Sequence, residues 1–118
     1  MEKRRYVRHL LPNETSFVAK LLLSGGSLLE TTTPRTIEIG AHPLNISQGG
    51  IGLTLVLEVP WETLTPQKQV TLLLSVGEQI WLLPATVTRH EKDHRTIGLE
   101  FKDPLKTLAP FLAPAELQ

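Results

Sequence analysis

The sequence is 118 residues long, carries 12 basic and 12 acidic side chains, and contains no cysteine. A chain of this length fits one domain that buries roughly two-thirds of its unfolded surface, so residues 1–118 are predicted to form a single domain. The missing thiols exclude disulfides, thiolate metal sites and cysteine nucleophiles. The balanced charge gives no overall attraction to nucleic acid or anionic lipid.

The N-terminal segment concentrates positive charge in an otherwise balanced chain. Four of the 12 basic residues lie in the run Lys3-Arg4-Arg5-Tyr6-Val7-Arg8. This run is either a solvated cluster of charges or an anion-binding site. Arginine suits the second role, because its guanidinium can hydrogen-bond two phosphate oxygens at once. Leu10-Leu11 is followed at once by Pro12, so no signal peptide is predicted. No apolar run reaches the ~18 residues of a membrane span, and we expect a soluble, cytoplasmic protein.

The apolar residues of the middle of the chain alternate at the period of β-strands. Strands are predicted over Thr15–Ser24, Thr36–Gly40, Ile51–Val59, Val70–Val76, Ile80–His90 and Arg95–Phe101, with Leu28–Glu30 as a short extra segment. Turn residues separate them, at Gly25-Gly26-Ser27, Pro60–Pro66, Gly77-Glu78 and Glu91–His94. Six or seven short strands without intervening helices favour an antiparallel barrel or sandwich over a Rossmann-like sheet.

The C-terminal segment has a different period. After Pro104, apolar residues recur at a helical spacing, at positions 105, 108, 111 and 112. Pro110 and Pro114 interrupt this pattern, because proline breaks a helix interior. A short helix with a loose end is therefore expected over residues 104–118.

A polar turn, Asn45-Ile46-Ser47-Gln48-Gly49-Gly50, lies between two predicted strands. Asn and Ser side chains bend back onto nearby backbone amides, and glycine permits positive φ. Such a turn can exist for local structural reasons alone. Beside an arginine cluster, however, it also offers an amide, a hydroxyl and backbone N–H groups at one place. The two segments together suggest a ligand with phosphates and hydrogen-bonding base edges.

These two segments resemble the signature of PilZ domains, small β-barrels that receive the bacterial second messenger cyclic di-GMP. The family pattern is R-R-x-x-x-R followed by [DN]-x-S-x-x-G. The first half is matched by Arg4 and Arg8, with Lys3 in place of the leading arginine. The second half is complete, and its positions are Asn45, Ser47 and Gly50. The segments 50–53 and 97–101 also look like the family's strand after the motif and its closing strand.

The resemblance implies an all-β fold, a six-stranded antiparallel barrel of the split-barrel type over residues 14–103. It also implies a flexible basic arm at residues 1–13 and a short C-terminal helix. In such a site the motif arginines clamp phosphates and contact guanine, Asn45 and Ser47 bind a guanine edge, and the small Gly50 allows close approach. Arg5 is a further binding candidate, and Lys3 and Gly49 are supporting ones.

The resemblance also implies how the protein acts. Cyclic di-GMP is expected as a ligand rather than a cofactor, and an unidentified effector protein as the partner that reads a conformational change. A homodimer is left open. The alternative is a PilZ-like adaptor that does not bind nucleotide. Lys3 keeps this alternative open, and an apolar patch around Trp61 or the tail at residues 105–117 is its candidate contact surface. A nucleic-acid polymer is disfavoured as a partner, because six aromatic residues and zero net charge do not make a basic stacking groove.

The sequence contains no pattern typical of catalysis or of metal binding. Ser47 lies in no G-x-S-x-G turn and has no recognisable base, so no catalytic residue is predicted and the chain is not expected to be an enzyme. His90 and His94 have a spacing that would suit a metal on a helix, but they flank a predicted hairpin and have no third ligand. The sequons at Asn13 and Asn45 lack a secretory signal, so glycosylation is not expected.

Overall fold

In the computed structural model, the described residues are 7–11, 17–25 and 35–112. They form seven β-strands: β1 (His9–Leu10), β2 (Val18–Gly25), β3 (Arg35–Ile46), β4 (Gly50–Leu55), β5 (Gln69–Val76), β6 (Gln79–His90) and β7 (Thr96–Phe101). Two 3₁₀ helices, Trp61–Thr63 and Ala109–Phe111, lie outside the sheet. Among these residues, no helix has the length and hydrophobicity that a membrane span requires.

The strands form one antiparallel sheet in the order β1-β3-β2-β5-β6-β7-β4. An additional pairing between β3 and β4 closes strands β2 to β7 into a barrel. Closure removes the unpaired edges that an open sheet would expose. The predicted all-β, six-stranded antiparallel barrel is therefore confirmed, and β1 is an extra strand added to β3.

The core follows from the alternation that predicted the strands. In β5, for example, Val70, Leu72 and Leu74 are buried while the residues between them are more exposed, as expected where one face is packed and the other is solvated. The fully buried side chains come from all six barrel strands and one connection: Leu21, Ile46, Leu53, Leu55, Leu64, Leu72, Leu74, Val87 and Ile97.

Two β-bulges interrupt this alternation. In β3 the register with β4 shifts between Pro43 and Asn45, and in β6 the register with β7 shifts between Val87 and Arg89. Each bulge inserts one extra residue, and bulges commonly re-aim side chains near functional sites. Alternation alone did not reveal them.

The predicted bounds of the strands around the polar turn differ from the observed ones. β3 continues past the predicted end at Gly40 to Ile46, because Pro43, which has no N–H, lies at the bulge, where a proline is tolerated. β4 ends at Leu55 rather than Val59. Val56 and Leu57 are exposed, so their apolar character does not report a continued strand.

The two ends of the chain also differ from expectation. The predicted arm at residues 1–13 contains β1, which is paired with the barrel. The predicted C-terminal helix is a single 3₁₀ turn, Ala109–Phe111, with proline in its first turn. The apolar spacing there reflects packing on the barrel, since Leu108, Phe111 and Leu112 are buried. The predicted strand at Leu28–Glu30, most of the turn at residues 25–27 and the loose end at residues 113–118 lie outside the described residues.

Candidate ligand-binding site

The polar turn connects β3 to β4 and is held together by Ser47. The Ser47 N–H donates to the Gly50 carbonyl at 2.9 Å, and the Ser47 hydroxyl accepts from the N–H groups of Gly49 at 3.2 Å and Gly50 at 3.1 Å. The hydroxyl thus satisfies two backbone donors that the turn would otherwise leave unpaired. Ser47 therefore shapes the turn whether or not a ligand is bound.

Gly50 is required by the neighbouring strand. A Cβ at this position would collide with the carbonyl oxygen of Leu99 on β7. The adjacent Gly49 carbonyl accepts a hydrogen bond from Phe101 at 2.9 Å. The glycine pair thus allows the turn to lie close against β7, a packing requirement that exists without any ligand.

Gln48 fastens the turn to the segment that follows β7. Its Nε2 donates to the carbonyls of Leu105 at 3.1 Å and Lys106 at 3.3 Å, and its own carbonyl accepts from the Leu105 N–H at 2.7 Å. The sequence analysis assigned no role to Gln48. No local signal could have revealed one, because its partners lie 57 and 58 residues away in sequence.

The Asn45 side chain lies on the outer surface of the barrel, against Gly52 of β4. A Cβ on Gly52 would be 2.8 Å from Asn45 Nδ2 and 3.1 Å from its Oδ1. Across the parts of the chain that the structure describes, the Asn45 side-chain amide makes no hydrogen bond. It is half-buried, so its donor and acceptor groups remain able to meet a bound molecule.

Strand β1 brings the N-terminal segment to this turn. His9 pairs with Ile46 and Leu10 with Asn45, and the Leu11 N–H donates to the Leu44 carbonyl at 2.9 Å. Continued by one residue, this antiparallel register sets the exposed Arg8 opposite Ser47. Lys3, Arg4 and Arg5 lie outside the described residues.

Other candidate residues of the sequence lie away from the turn. Trp61 is 44% exposed in its 3₁₀ helix. The His90 and His94 rings contact each other with centroids 5.9 Å apart, at the end of β6 and in the turn after it. Within residues 7–11, 17–25 and 35–112, no group of three or more His, Asp or Glu side chains is placed to hold a metal ion.

These elements define a small closed antiparallel β-barrel whose N-terminal strand pairs beside a polar turn. The chain belongs to the PilZ domain family, whose model matches residues 2–109. No curated protein matches the sequence.

Solved structures with a similar fold include two complexes with c-di-GMP. One is a complex of K. pneumonia MrkH with c-di-GMP, with a TM-score of 0.58 and 18% identity over 92% of this chain and 47% of that chain. The other is the PilZ domain of YcgR from Escherichia coli with c-di-GMP, with a TM-score of 0.55 and 15% identity over 86% of this chain and 79% of that chain. At these identities the similarity concerns the fold, and the chain spans about half the length of MrkH.

Proposed function

We propose that this chain is a receptor for cyclic di-GMP, bound between the N-terminal arginine segment and the Asn45–Gly50 turn. The observation that carries the proposal is the pairing of His9 in β1 with Ile46 in β3, which brings the preceding residue, Arg8, to the start of the polar turn. The last arginine of the cationic segment thereby lies close to a turn that is rich in hydrogen-bonding groups and distant from it in sequence. Membership of the PilZ family and the c-di-GMP complexes of MrkH and YcgR support the same ligand.

In this proposal the two segments recognise different parts of the ligand. Arg4 and Arg8 bind the phosphates, because guanidinium groups make paired, charge-assisted hydrogen bonds to phosphate oxygens. The Asn45 amide binds a guanine edge. The Ser47 hydroxyl stabilises the conformation of the turn, and the backbone of Gly49 and Gly50 contacts the ligand. Arg5 is a further candidate, while Lys3 supplies charge without the planar fork.

The proposed output is a change of surface rather than a chemical reaction. Placing a charged ligand against Arg8 fixes the N-terminal segment on the barrel, and a separate effector protein reads the new surface. Gln48 extends the turn's contacts to Leu105 and Lys106, so the segment after β7 belongs to the same surface. We also propose a cytoplasmic location, with which the absence of cysteine agrees.

The deciding experiment is a calorimetric titration of the purified chain with cyclic di-GMP, with GTP and cyclic GMP as controls. We expect selective binding with a Kd of about 10 μM or lower, and the stoichiometry will distinguish one bound ligand from two. Absence of both heat and a shift in melting temperature at about 100 μM ligand contradicts the proposal.

The arginines are tested by single substitutions. Arg4→Ala and Arg8→Ala are each expected to weaken binding about ten- to a hundredfold, equivalent to about 1.5–3 kcal/mol for a lost charged hydrogen bond. Arg95→Ala is the matched control, because the Arg95 guanidinium donates to the carbonyls of Leu55 and Val56 at the far end of β4. A loss of less than about threefold in both motif variants excludes the clamp.

A second candidate function is an adaptor that binds another protein and no nucleotide. It is favoured by an apolar outer face on β2, β5 and β6, where Val18, Ile80 and Leu82 are 54%, 63% and 60% exposed. The strand register places Val18 and Ile80 in one cross-strand row and Leu82 in the next. Large exposed apolar patches mark interaction surfaces.

The two functions are distinguished by the same titration. A chain that shows no ligand heat, but that self-associates or captures a partner through this apolar face, is an adaptor. Leu82→Glu should then abolish the association, whereas in a receptor it should leave the Kd for cyclic di-GMP unchanged. Sedimentation of the wild-type chain reports at the same time whether it is a homodimer.

A further inference from the structure

A row of four residues crosses the outer surface of the barrel beside the polar turn. Asn45 of β3 pairs with Gly52 of β4, Gly52 pairs with Gly98 of β7, and Gly98 pairs with Arg89 of β6. The residues on either side of each glycine, such as Leu53 and Ile97, are buried in the core, so the glycines face outward. The middle of this row contributes no side chain of its own, and each end carries a planar polar one; both glycines are buried beneath neighbouring side chains.

Both polar ends of the row are produced by the β-bulges. In β3, Ile39 and Pro43 face inward, and strict alternation would send Asn45 inward as well. The bulge at Leu44 reverses the alternation, so that Asn45 faces outward and Ile46 is buried.

The same reversal occurs in β6. Ala85 and Val87 are buried, and alternation would direct Arg89 into the core. The extra residue Thr88 instead leaves Arg89 outside and buries His90. Two independent bulges thus place an amide and a guanidinium on the same face of the same row, as expected where a bulge serves a binding site.

The two glycines are explained by the space that these side chains need. A Cβ on Gly98 would lie 3.0 Å from Thr88 Oγ1, 3.2 Å from Arg89 Cγ and 3.5 Å from Arg89 Cζ. A Cβ on Gly52 would lie 2.8 Å from the Asn45 amide nitrogen. Neither glycine has a positive φ; Gly77 is the one glycine of the described residues that does. Gly52 and Gly98 therefore provide room rather than backbone freedom, and both side chains lie flat against the sheet.

The Arg89 guanidinium has donors available for a ligand. Its Nε donates to Glu91 Oε1 at 3.1 Å, and its side chain is 45% exposed. Across the described part of the chain, no other hydrogen bond or ion pair of this side chain is formed. The ion pair with Glu91 engages Nε and leaves the Nη donors of this half-exposed side chain without a partner among the described residues.

The two polar groups at the ends of the row come close to each other, because the Asn45 amide lies over Gly52, the Arg89 guanidinium lies over Gly98, and these glycines are paired. Three interstrand spacings separate the Asn45 and Arg89 backbones by about 14 Å, and the two side chains extend toward each other across the glycines. Amide and guanidinium groups are the side chains that read purine edges and phosphate oxygens in planar, two-point contacts. Asn45 already belongs to the proposed ligand site, and the Arg89 guanidinium lies beside it on the outer surface of the barrel.

We propose that Arg89 is a further ligand-binding residue of this site, donating from its guanidinium to acceptor atoms of the cyclic dinucleotide beside Asn45. The inference rests on the proposed function. It adds to the receptor a binding group on β6, outside both motif segments.

The test compares binding of cyclic di-GMP by two variants of the ion pair. Arg89→Met keeps an unbranched stem over Gly98 and removes every donor, and it should weaken binding at least about tenfold. Glu91→Gln removes the charge partner but keeps the guanidinium, and it should bind within about threefold of the wild type. Cyclic di-AMP identifies the contacted atoms: selectivity for guanine falls in Arg89→Met if the base edge is bound and is retained if a phosphate is bound.

A measurement on the wild-type chain makes the test independent of how well the variants fold. In a ¹⁵N NMR titration, the Arg89 Nε–H signal should shift on adding cyclic di-GMP, whereas that of Arg95, hydrogen-bonded to Leu55 at the far end of β4, should not. If Arg8→Ala weakens binding while Arg89→Met changes the Kd by less than about threefold, Arg89 is not a ligand-binding residue, and the proposed receptor function still stands. A wild-type chain that does not bind removes both proposals.

Discussion

Gly50 has a role in the fold that is separate from its place in a binding motif. From the sequence, its small size was expected to allow close approach of a ligand. In the structure, the same small size is required by the Leu99 carbonyl oxygen on β7, which occupies the space of a side chain. A residue can thus match a ligand motif while its identity is already fixed by packing. A loss of binding in a Gly50 variant therefore does not by itself report a ligand contact.

Replacing Gly50 by alanine should destabilise the apoprotein. The new Cβ would meet backbone atoms, which cannot rotate away, so we expect a loss of about 1–3 kcal/mol in the free energy of unfolding. Gly40→Ala is the control, because its Cβ would lie 3.3 Å from Cγ2 of Val56, whose exposed side chain can move. Urea denaturation of both variants measures the difference, and equal stabilities would contradict the packing argument.

Asp93 stabilises the turn between β6 and β7 in its ionised form. Its Oδ1 accepts hydrogen bonds from the N–H groups of Arg95 at 2.9 Å and Thr96 at 3.1 Å, and its Oδ2 accepts from the Thr96 hydroxyl at 3.2 Å. The backbone bond from Arg95, followed by that from Thr96, lowers the pKa of Asp93 below its ordinary value of 3.8. Hydrogen bonds to the charged form always act in this direction.

The lowered pKa predicts a pH dependence of stability. Since the unfolded chain binds a proton at higher pH than the folded one, the contribution of Asp93 is fully present above pH 3.8 and is lost as the pH falls through the folded-state pKa. Asp93→Ala should therefore be less stable than the wild type at pH 7. The difference in the free energy of unfolding between the two proteins should become smaller below pH 3.8. Denaturation curves across this pH range measure the difference in stability. A difference that does not change with pH would exclude the ionised Asp93 carboxylate as its cause.

At the scale of elements, the short strand β1 links the two halves of the proposed site. It contributes only two paired residues, and Leu10 is 80% exposed, so it adds little to the stability of the barrel. Its effect is positional, because its pairing with β3 sets the register of Arg8 beside the turn. The position of Arg8 therefore depends on a few backbone hydrogen bonds.

Breaking one of those bonds should separate binding from stability. Leu11→Pro removes the N–H that donates to the Leu44 carbonyl, and it should weaken cyclic di-GMP binding about tenfold or more. Leu11→Ala keeps the N–H and controls for the loss of side-chain packing. Calorimetry measures the two Kd values and a thermal melt measures the stability of each variant. Equal affinities of the two variants would show that the register of β1 does not matter for the ligand.

At the scale of the whole molecule, the segment after β7 joins the polar turn to the core. Gln48 binds its beginning at Leu105, and its end carries Phe111, which is 2% exposed. The Phe111 ring packs edge-on against Phe17, with centroids 5.1 Å apart, and against Trp81, with centroids 4.9 Å apart. Residues beyond the last strand thus belong to the domain core.

Truncation of Phe111 should be costly for that reason. Removing a buried aromatic ring leaves a cavity, and we expect Phe111→Ala to lose about 3 kcal/mol of stability. Leu82→Ala is the control, because it truncates an apolar side chain that is 60% exposed. Substitutions on the surface usually change stability by no more than about 0.5 kcal/mol. Chemical denaturation distinguishes the two, and a similar small loss in both would mean that the segment is not part of the cooperative unit.

The sequence by itself determined the fold class, most of the strands and the two segments of the proposed site. Alternating apolar residues encode a strand locally, since successive side chains face opposite sides. Turn residues mark the hairpins, and residues such as Asn45 and Ser47 carry their hydrogen-bonding chemistry wherever they are placed. These properties act over a few residues, so they can be recognised without knowing the fold.

The tertiary structure decided what depends on register. The two bulges that turn Asn45 and Arg89 outward arise from pairing between strands, and no local pattern distinguishes Leu44 or Thr88 as the extra residue. The pairing of β1 with β3 and the contact of Gln48 with Leu105 join residues far apart in sequence. The C-terminal spacing looked helical because those residues pack on the barrel, and packing with distant residues overrides local periodicity wherever the two disagree.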